Sequence, residues 1–543
     1  MFFLICACAG SVKVTDSGGA TGDSPVESTA GPDSPADSPT ESRVDTAGWP
    51  SAGADCKLGS DLATPYFLEG DRVQFQVMCT GDLATDDAQI SAVALPAGAS
   101  YDADTRTLDW QTGPADGGRI DAIFSVVPAD GSGEVPTAET ITFWVADNPD
   151  ATDNVEVDPS TYTEEWGLPV MFVETRGGIS TSYQDATVTW GGVSYPASIK
   201  VRGASRAYYS KPGYTLEFNE AELPVDAWGV TRNHFILLST FDDNSYVRQK
   251  FVYDLWTAMA EYWGEQRMTP RTLFTVVYLN GDYWGLYVGL DRMDDEFLDH
   301  MGFERDANLY KAINHDANFF LTNSYGGTKS TLHDGYTKEE GEDETTFTDL
   351  EALVSFTGGS TASDLLAASG EWFDLQEFMD WFLLVHYTTA EDSAGKNSYL
   401  YHPLEGGLFR YGPWDFNHAW GQGWYTYRIS ATYDDYYTGT NKVFKSIQSD
   451  DDAEGEMWAR FTSMRADGPF SLAWQTQTLD DYYALIEPSA QRDWDKWGAA
   501  YRSYGGWSGS RNASGDWTDY DGEKDYLYTW VEDRAEHFEA LHP

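Results

Sequence analysis

The chain has 543 residues, which is too long for a single hydrophobic core and predicts two or three domains. It carries 88 acidic and 34 basic residues, and the resulting net charge of -54 argues against nucleic acid or an anionic membrane surface as a partner. Aromatic residues make up 15% of the sequence, so the folded part can bury a large core. This composition fits an exported or salt-exposed protein.

The first ten residues, MFFLICACAG, are apolar and resemble the end of a bacterial lipoprotein signal. Cys8 is the predicted lipidated residue and Cys6 is the second candidate; an apolar terminus without this function is the alternative. Residues 11–55 are rich in Ser, Pro and Asp, which predicts a disordered linker. We therefore expect a location in the cell envelope or outside the cell, with membrane contact only through a lipid anchor.

Residues 56–150 alternate apolar and polar side chains between turn signals, which predicts a small all-β sandwich. The run from LPAGASYD to TRTLDW resembles the immunoglobulin-like and cadherin-like domains of bacterial surface proteins. Cys56 and Cys79 are the remaining two cysteines, and an even pair in an exported domain predicts a disulfide. Two free thiols are the alternative. We expect this domain to act as a spacer.

A basic cluster follows in the first strands of the next region. Lys200, Arg202, Arg206 and Lys211 lie within 12 residues of each other, between two predicted strands. A loop of Gly and small residues with flanking bases can lie over phosphates. An ordinary hairpin with basic rims is the alternative.

The following segments predict a helix and a hairpin. HFILLSTFDDNSYVRQKFVYDLW indicates a strand, a loop and a helix, with Asn244 or Ser245 as the helix cap. TLFTVVYLNGDYWGLYVGLD indicates a β-hairpin in which Asn280-Gly281 favours a type I′ turn. Asp291 ends its second strand, and residues 308–311 (NLYK) predict another strand.

The stretch 386–421 brings Asp392, Asn397 and Asp415 close together in sequence. The apolar run before Asp392 predicts a buried helix, and SYLYH and GLFRYGPW predict two short strands before Asp415. Protein kinases use the same D-x-x-x-x-N spacing, with the Asp facing the substrate hydroxyl and the Asn holding magnesium. A second Asp after a hairpin holds magnesium against the nucleotide phosphates. Loop carboxylates that only satisfy turns are the alternative.

Together these segments resemble the CotH kinase family, atypical kinase-like proteins first known from bacterial spore coats. The resemblance runs from about residue 160 to residue 543 and is carried by IKVRGASR, KPGYTLEF, HFILLSTFDDNSYVRQKFVYDL, VVYLNGDYWGLYVGLDRMD, NLYK and the block 392–421. It implies an α+β, kinase-like, two-lobed domain over residues 155–543, preceded by the small all-β sandwich. The β-rich lobe would span about residues 155–311 and the helical lobe about residues 312–543.

The resemblance also implies an activity and its site. ATP and magnesium would be bound, and phosphate would pass to Ser or Thr of a protein acceptor rich in these residues. Asp392 matches the catalytic residue, and Asn397 and Asp415 match the metal ligands. The expected nucleotide contacts are Lys211, as first choice because it begins a strand after the loop, and then Lys200, Arg202 and Asp291.

The chain departs from the family pattern at three places. Asp291 stands where Glu is usual, Asn417 stands where a second Asp is frequent, and the usual Gly-Asn-Ser-Ser is here residues 203–206, Gly-Ala-Ser-Arg. An active kinase is the favoured interpretation, because Asp392 and Asp415 are both retained. A catalytically weak kinase fold that serves as an adhesin or structural module is the alternative. Transfer of a nucleotide or phosphate to a glycan or small molecule at the same ATP site is a third reading.

Overall fold

The computed structural model describes residues 57–79, 88–128, 137–148, 151, 155–203, 209–341, 343, 345–507 and 519–543. The predicted lipidation site Cys8, the linker of residues 11–55, Cys56 and Arg206 lie outside the described residues. Among the helices that are described, none is long and apolar enough to cross a membrane. All described residues belong to one compact unit.

The N-terminal all-β region consists of two antiparallel-rich sheets that face each other. Their strand orders are β1-β3-β6-β5 and β2-β8-β7-β4. Val73, Phe75 and Val77 point inward along β3, in the alternation that the sequence predicted. Cys79 at the end of β3 is disulfide-bonded, whereas its predicted partner Cys56 is not described. The strands β1 to β8 are Leu58–Ser60, Tyr66–Leu68, Arg72–Cys79, Ala88–Ala94, Ser100–Asp102, Thr107–Gln111, Gly118–Pro128 and Thr137–Ala146.

A polar junction ties this sandwich to the following domain. Arg492 donates to the Asp147 carbonyl at 2.7 Å and to Glu165 Oε1 at 2.7 Å, and the Trp166 indole donates to the Phe67 carbonyl at 3.1 Å. Burial raises the pKa of Asp147 to about 6. The sandwich is therefore packed against its neighbour through specific buried bonds, which a freely hinged spacer would lack.

The second domain begins with a closed β-barrel. The strands run in the order β11-β12-β13-β16-β18-β17-β10, and an added pairing of β10 with β11 closes the barrel. Met171 and Val173 of β10 point into the barrel, while Val170 and Phe172 pack outside against the helices. Strands β9 to β18 are Glu164–Glu165, Leu168–Thr175, Gln184–Trp190, Val193–Val201, Tyr214–Glu217, Leu223–Val225, Val230–Arg232, His234–Leu238, Thr272–Leu279 and Asp282–Leu290.

Two local predictions in this domain have different outcomes. Asn280 and Gly281 both have positive φ, 53° and 86°, as the predicted type I′ turn of the β17–β18 hairpin requires. The predicted cap of the helix Arg248–Trp263, Asn244 or Ser245, is wrong, because the N-cap residue is Val247, which has no capping side chain. The Asp243 carboxylate, further upstream, accepts from the Arg248 backbone N–H at 2.9 Å.

The remainder is mostly helical and confirms the predicted α+β class. Helices α1 to α9 are Arg248–Trp263, Asp295–His300, Thr348–Gly359, Ala362–Ala367, Leu375–Thr388, Lys442–Gln448, Asp451–Asp467, Leu472–Ser503 and Tyr520–Leu541. The predicted buried helix before Asp392 is α5, in which nearly every residue is buried. A small antiparallel sheet, ordered β20-β19-β21-β22, lies beside it. Strands β19 to β22 are Asn308–Ala312, Tyr336–Glu340, Ser398–His402 and Arg410–Pro413.

Candidate active site

One edge of the small sheet collects the predicted residues. The end of β19 pairs with the start of β21, and the start of β21 pairs with the end of β22, so the loops at these three points leave the sheet together. The first loop follows β19, the second carries Asp392 and Asn397, and the third carries Asp415. Asn397 Nδ2 donates to the Asp415 carbonyl at 3.2 Å, which links two of the loops directly. The sequence spacing thus becomes a spatial cluster.

The backbone at this edge is strained. Asn397 and Asp415 adopt left-handed conformations, with φ of 55° and 63°. Such conformations cost side-chain-bearing residues about 1–2 kcal/mol each, although Asn and Asp tolerate them best. Strained backbone of this kind concentrates at functional sites, where the surrounding structure holds it in place. The two residues are therefore placed by the sheet and are not simply loop residues in relaxed turns.

Asp392 is held by three side chains from different segments. His315 Nε2 lies 3.3 Å from its Oδ1, whereas Lys396 Nζ at 3.1 Å and His418 Nδ1 at 3.6 Å lie against its Oδ2. Burial acts to raise the pKa of this carboxyl, but hydrogen bonds from the two histidines and the Lys396 charge bring the pKa far below its usual range. Asp392 is therefore a firmly ionised carboxylate. The Lys396 ion pair also ties Asp392 to its own loop.

Two cationic side chains lie close to Asp415, against the ring of the preceding residue, Trp414. Lys311 Nζ lies 4.5 Å and Arg202 Cζ lies 5.1 Å from the ring centroid of Trp414. Burial is the main reason why the pKa of Lys311 is lowered to about 8. The positive charges of Arg202 and Arg292 act in the same direction, whereas the negative charges of Glu339 and Asp415 oppose the shift. In a chain with a net charge of -54, this group of cations beside an acid is unusual. It is suited to bind phosphate groups.

The predicted base Lys200 belongs to the same neighbourhood. Burial and the positive charge of Arg292 lower its pKa, and its amine lies 4.2 Å from the Tyr183 ring centroid. Lys311 itself was missed from the sequence, because NLYK was interpreted only as a strand. The one available signal was that Lys311 lies near the end of a predicted strand. That this strand pairs with the strand following Asn397 is seen only in the structure.

Asp415 and Asn397 offer oxygen donors that fit a magnesium ion. Magnesium is usually held by one or two carboxylates together with substrate phosphates and water. The Asn397 amide nitrogen is used toward the Asp415 carbonyl, so its oxygen can face a cation. Within the described parts of the chain no group of three or more His, Cys, Asp or Glu side chains could hold a metal by itself. A nucleotide would therefore have to complete the coordination.

The second departure from the family pattern, Asn417, is turned toward the protein interior. Its side chain is buried, and its Nδ2 donates to Asp242 Oδ2 at 2.6 Å. Asn417 itself has no negative charge, but the carboxylate of Asp242, from another loop, lies directly against it.

Two expected nucleotide contacts lie in buried ion pairs instead. The Lys211 amine pairs with Asp493 and donates to Thr240 Oγ1 at 3.0 Å. Asp291 is fully buried between Arg232, at 2.8 Å, and Arg271, at 2.9 Å. These contacts are structural: Lys211 connects the barrel to α8, and Asp291 pairs with two arginines. A nucleotide role for either residue stays a prediction and would require the pair to open.

We expect Lys211→Met to destabilise the protein, since it leaves the Asp493 carboxylate buried without its cation. The expected loss in the free energy of unfolding is about 3–5 kcal/mol, measured by chemical denaturation. Adding Asp493→Asn should restore part of the loss, because no unpaired charge then remains. Unchanged stability together with lost ATP binding would instead return Lys211 to the nucleotide site.

Comparisons with known proteins agree on one family. The sequence model of the CotH kinase protein family matches residues 199–538, a range that contains every site residue described above. Inner spore coat protein H of Bacillus subtilis (strain 168) is 26% identical over 236 residues, which cover 43% of this chain and 62% of that protein. The match thus spans less than two thirds of the relative.

Among solved structures, an endo-fucoidan hydrolase of glycoside hydrolase family 107 aligns with 31% of this chain and 27% of its own at 10% identity. Its TM-score is 0.13, which is too low to support any conclusion about fold or function.

Proposed function

The chain belongs to the CotH kinase protein family, and from this premise we propose that it transfers the γ-phosphate of ATP to a Ser or Thr hydroxyl of a protein acceptor. The observation that carries the proposal is the meeting of Asp392, Asn397 and Asp415 at one sheet edge beside Arg202 and Lys311. Phosphoryl transfer needs little covalent chemistry from the protein. It depends mainly on positioning and on neutralising phosphate charge.

Each side chain has a role that its surroundings support. Arg202 and Lys311, packed on Trp414, would face the negative oxygens of the phosphates. Asp415 and Asn397 would hold the magnesium ion, which when bound neutralises charge on the phosphates. Asp392, ionised and fixed by its three partners, would lie on the acceptor side and orient the group that takes the hydroxyl proton.

A kinase fold with weak or absent catalysis, acting as an adhesin or structural module, is the second candidate. The observation that favours it is Asn417, which replaces a carboxylate at the family's second Asp position and is bonded inward to Asp242. The loss of one metal-side charge could reduce magnesium affinity. The retained Asp415 favours the active enzyme.

A location at an outer surface accompanies either function. The Bacillus subtilis relative is named as a spore coat protein, which supports a surface-associated place for this chain. We propose that the chain is tethered through a lipid on Cys8 and the linker of residues 11–55. The acceptor would then be another protein of the envelope or of the surroundings.

The proposal is tested by incubating the purified chain with ATP labelled on the γ-phosphate, with and without magnesium, and with dephosphorylated casein added as acceptor. We expect label on casein or on the chain itself only with magnesium, and mass spectrometry should locate it on Ser or Thr. No label on either protein, with normal folding by circular dichroism, would support the non-catalytic candidate. Label on an added glycan alone would indicate the third reading.

A further inference from the structure

The ionised Asp392 is poorly suited to take a proton itself. Oδ1 is engaged by His315, and Oδ2 is engaged by Lys396 and His418. A carboxylate that accepts hydrogen bonds on both oxygens and has a positive charge beside one of them binds a proton weakly. During phosphate transfer, the proton that leaves the acceptor hydroxyl therefore needs another destination.

His315 is placed to be that destination. Its side chain is 42% exposed, whereas the Asp392 side chain is only 15% exposed. It belongs to the loop that follows β19, at the same sheet edge as Asn397, whose backbone N–H donates to the last carbonyl of β19. His315 therefore lies at the mouth of the site, between solvent and the carboxylate.

The geometry also assigns the two ring nitrogens. Nε2 faces Asp392 Oδ1, so the neutral ring would carry its proton on Nε2 and donate it to the carboxylate. Nδ1 then carries the lone pair, and in the described residues it makes no hydrogen bond. Gly395 lies beside it: a Cβ at position 395 would stand 3.5 Å from Nδ1 and 2.9 Å from Thr440 Cγ2, so only a glycine fits against this nitrogen.

His418 differs although it contacts the same carboxylate. Its side chain is only 8% exposed, and its ring packs edge-on against Trp424 with centroids 5.3 Å apart. It therefore acts as a positioning residue for Asp392. Two histidines therefore contact one carboxylate, and of these two only His315 is exposed enough to meet an acceptor hydroxyl.

We propose that His315 is a catalytic base that takes the acceptor hydroxyl proton, with Asp392 orienting its ring; this rests on the proposed kinase function. The acceptor O–H bond breaks and its proton moves to His315 Nδ1, while the acceptor oxygen forms a bond to the γ-phosphorus. The bond from that phosphorus to the bridging oxygen breaks, and ADP leaves with the electron pair. Asp392 stabilises the resulting imidazolium without being protonated.

The charges that face this pair set the expected pH dependence. His315 faces the Asp392 carboxylate, and His418 and Lys396 contact the same carboxylate. Glu391, which is bonded to the Tyr427 hydroxyl, lies on the same short turn as Asp392. Because a protonated imidazole cannot accept a further proton, the transfer rate should fall toward acid pH. Asp392, whose pKa lies far below its usual range, cannot produce that loss.

The test compares His315→Gln with the unaltered full chain, using saturating magnesium-ATP and dephosphorylated casein from pH 5.5 to 9. We expect kcat at pH 8 to fall about 100-fold or more, with the acid limb of the profile lost and magnesium-ATP affinity within twofold. His418→Gln should lower kcat but keep the acid limb. His333→Gln, a histidine paired with Glu351 away from Asp392, should match the unaltered chain.

Two results would overturn the inference in different ways. If the unaltered chain labels neither casein nor itself, the proposed function fails and the base role fails with it. If the unaltered chain is active but His315→Gln keeps its kcat within threefold or keeps the acid limb, the proton goes elsewhere and only the base role fails. A long-range 1H–15N spectrum of histidine-labelled protein checks the ring without activity: the inference requires protonated Nε2 and bare Nδ1 at pH 8, and the opposite tautomer would contradict it.

Discussion

Asp415→Asn should abolish magnesium-dependent ATP binding in calorimetry and lower phosphate transfer by about 100-fold or more. The reason is that Asp415 supplies the one carboxylate of the expected metal site, while Asn397 supplies only a neutral oxygen. The fold should survive, because Asn tolerates the left-handed conformation that position 415 adopts, with φ of 63°.

A matched control separates this effect from the loss of one charge. Asp306 is exposed on a surface turn, so Asp306→Asn removes the same charge from a chain of net charge -54 without touching the site. It should bind magnesium-ATP like the unaltered chain. Unchanged binding by Asp415→Asn as well would show that the metal is held elsewhere.

Asp392→Asn should keep magnesium-ATP affinity within a few-fold and lower phosphate transfer by about 100- to 10,000-fold. Its contacts are with His315, His418 and Lys396, not with the cations that would hold the phosphates, so binding and transfer should separate. The depressed pKa of Asp392 means that its contribution to stability is present at neutral pH and is lost only as the pH falls through that low value.

The adjacent carboxylate provides the control for this variant. Glu391 lies on the same short turn but bonds to the Tyr427 hydroxyl, so Glu391→Gln should change transfer by no more than a few-fold. Parallel loss of melting temperature and of ATP affinity in Asp392→Asn would instead mark Asp392 as a structural residue of the turn.

Local patterns in the sequence predicted much of the fold. Three features were predicted correctly: the alternation from Val73 to Val77, the Asn280-Gly281 turn and the apolar run of α5. Each depends on a periodicity or a turn preference of residues that are adjacent in sequence. The start of α1 was predicted wrongly for the opposite reason. Arg248, its first residue, pairs with Asp243 at 2.6 Å and with Glu523 of α9 at 2.6 Å, so a contact with a distant helix helps to fix where α1 begins.

The site was predictable only where its residues are close in sequence. Asp392, Asn397 and Asp415 fall within one stretch, so their spacing could be compared with that of known kinases. Lys311 lies near the end of β19 and His315 in the loop after it, and the pairing of β19 with β21 brings both to the stretch that holds Asp392 and Asn397. Lys211 was chosen because it begins a strand, but nothing local indicates that Asp493, far along the chain, closes a buried pair with it.

The most direct measurement is a crystal structure of the chain with magnesium and a non-hydrolysable ATP analogue. The phosphates should lie against Arg202 and Lys311, with magnesium on Asp415 and Asn397, while the Lys211–Asp493 pair stays closed. Phosphates bound at an opened Lys211, or no nucleotide at this sheet edge at saturating concentration, would contradict the proposed site.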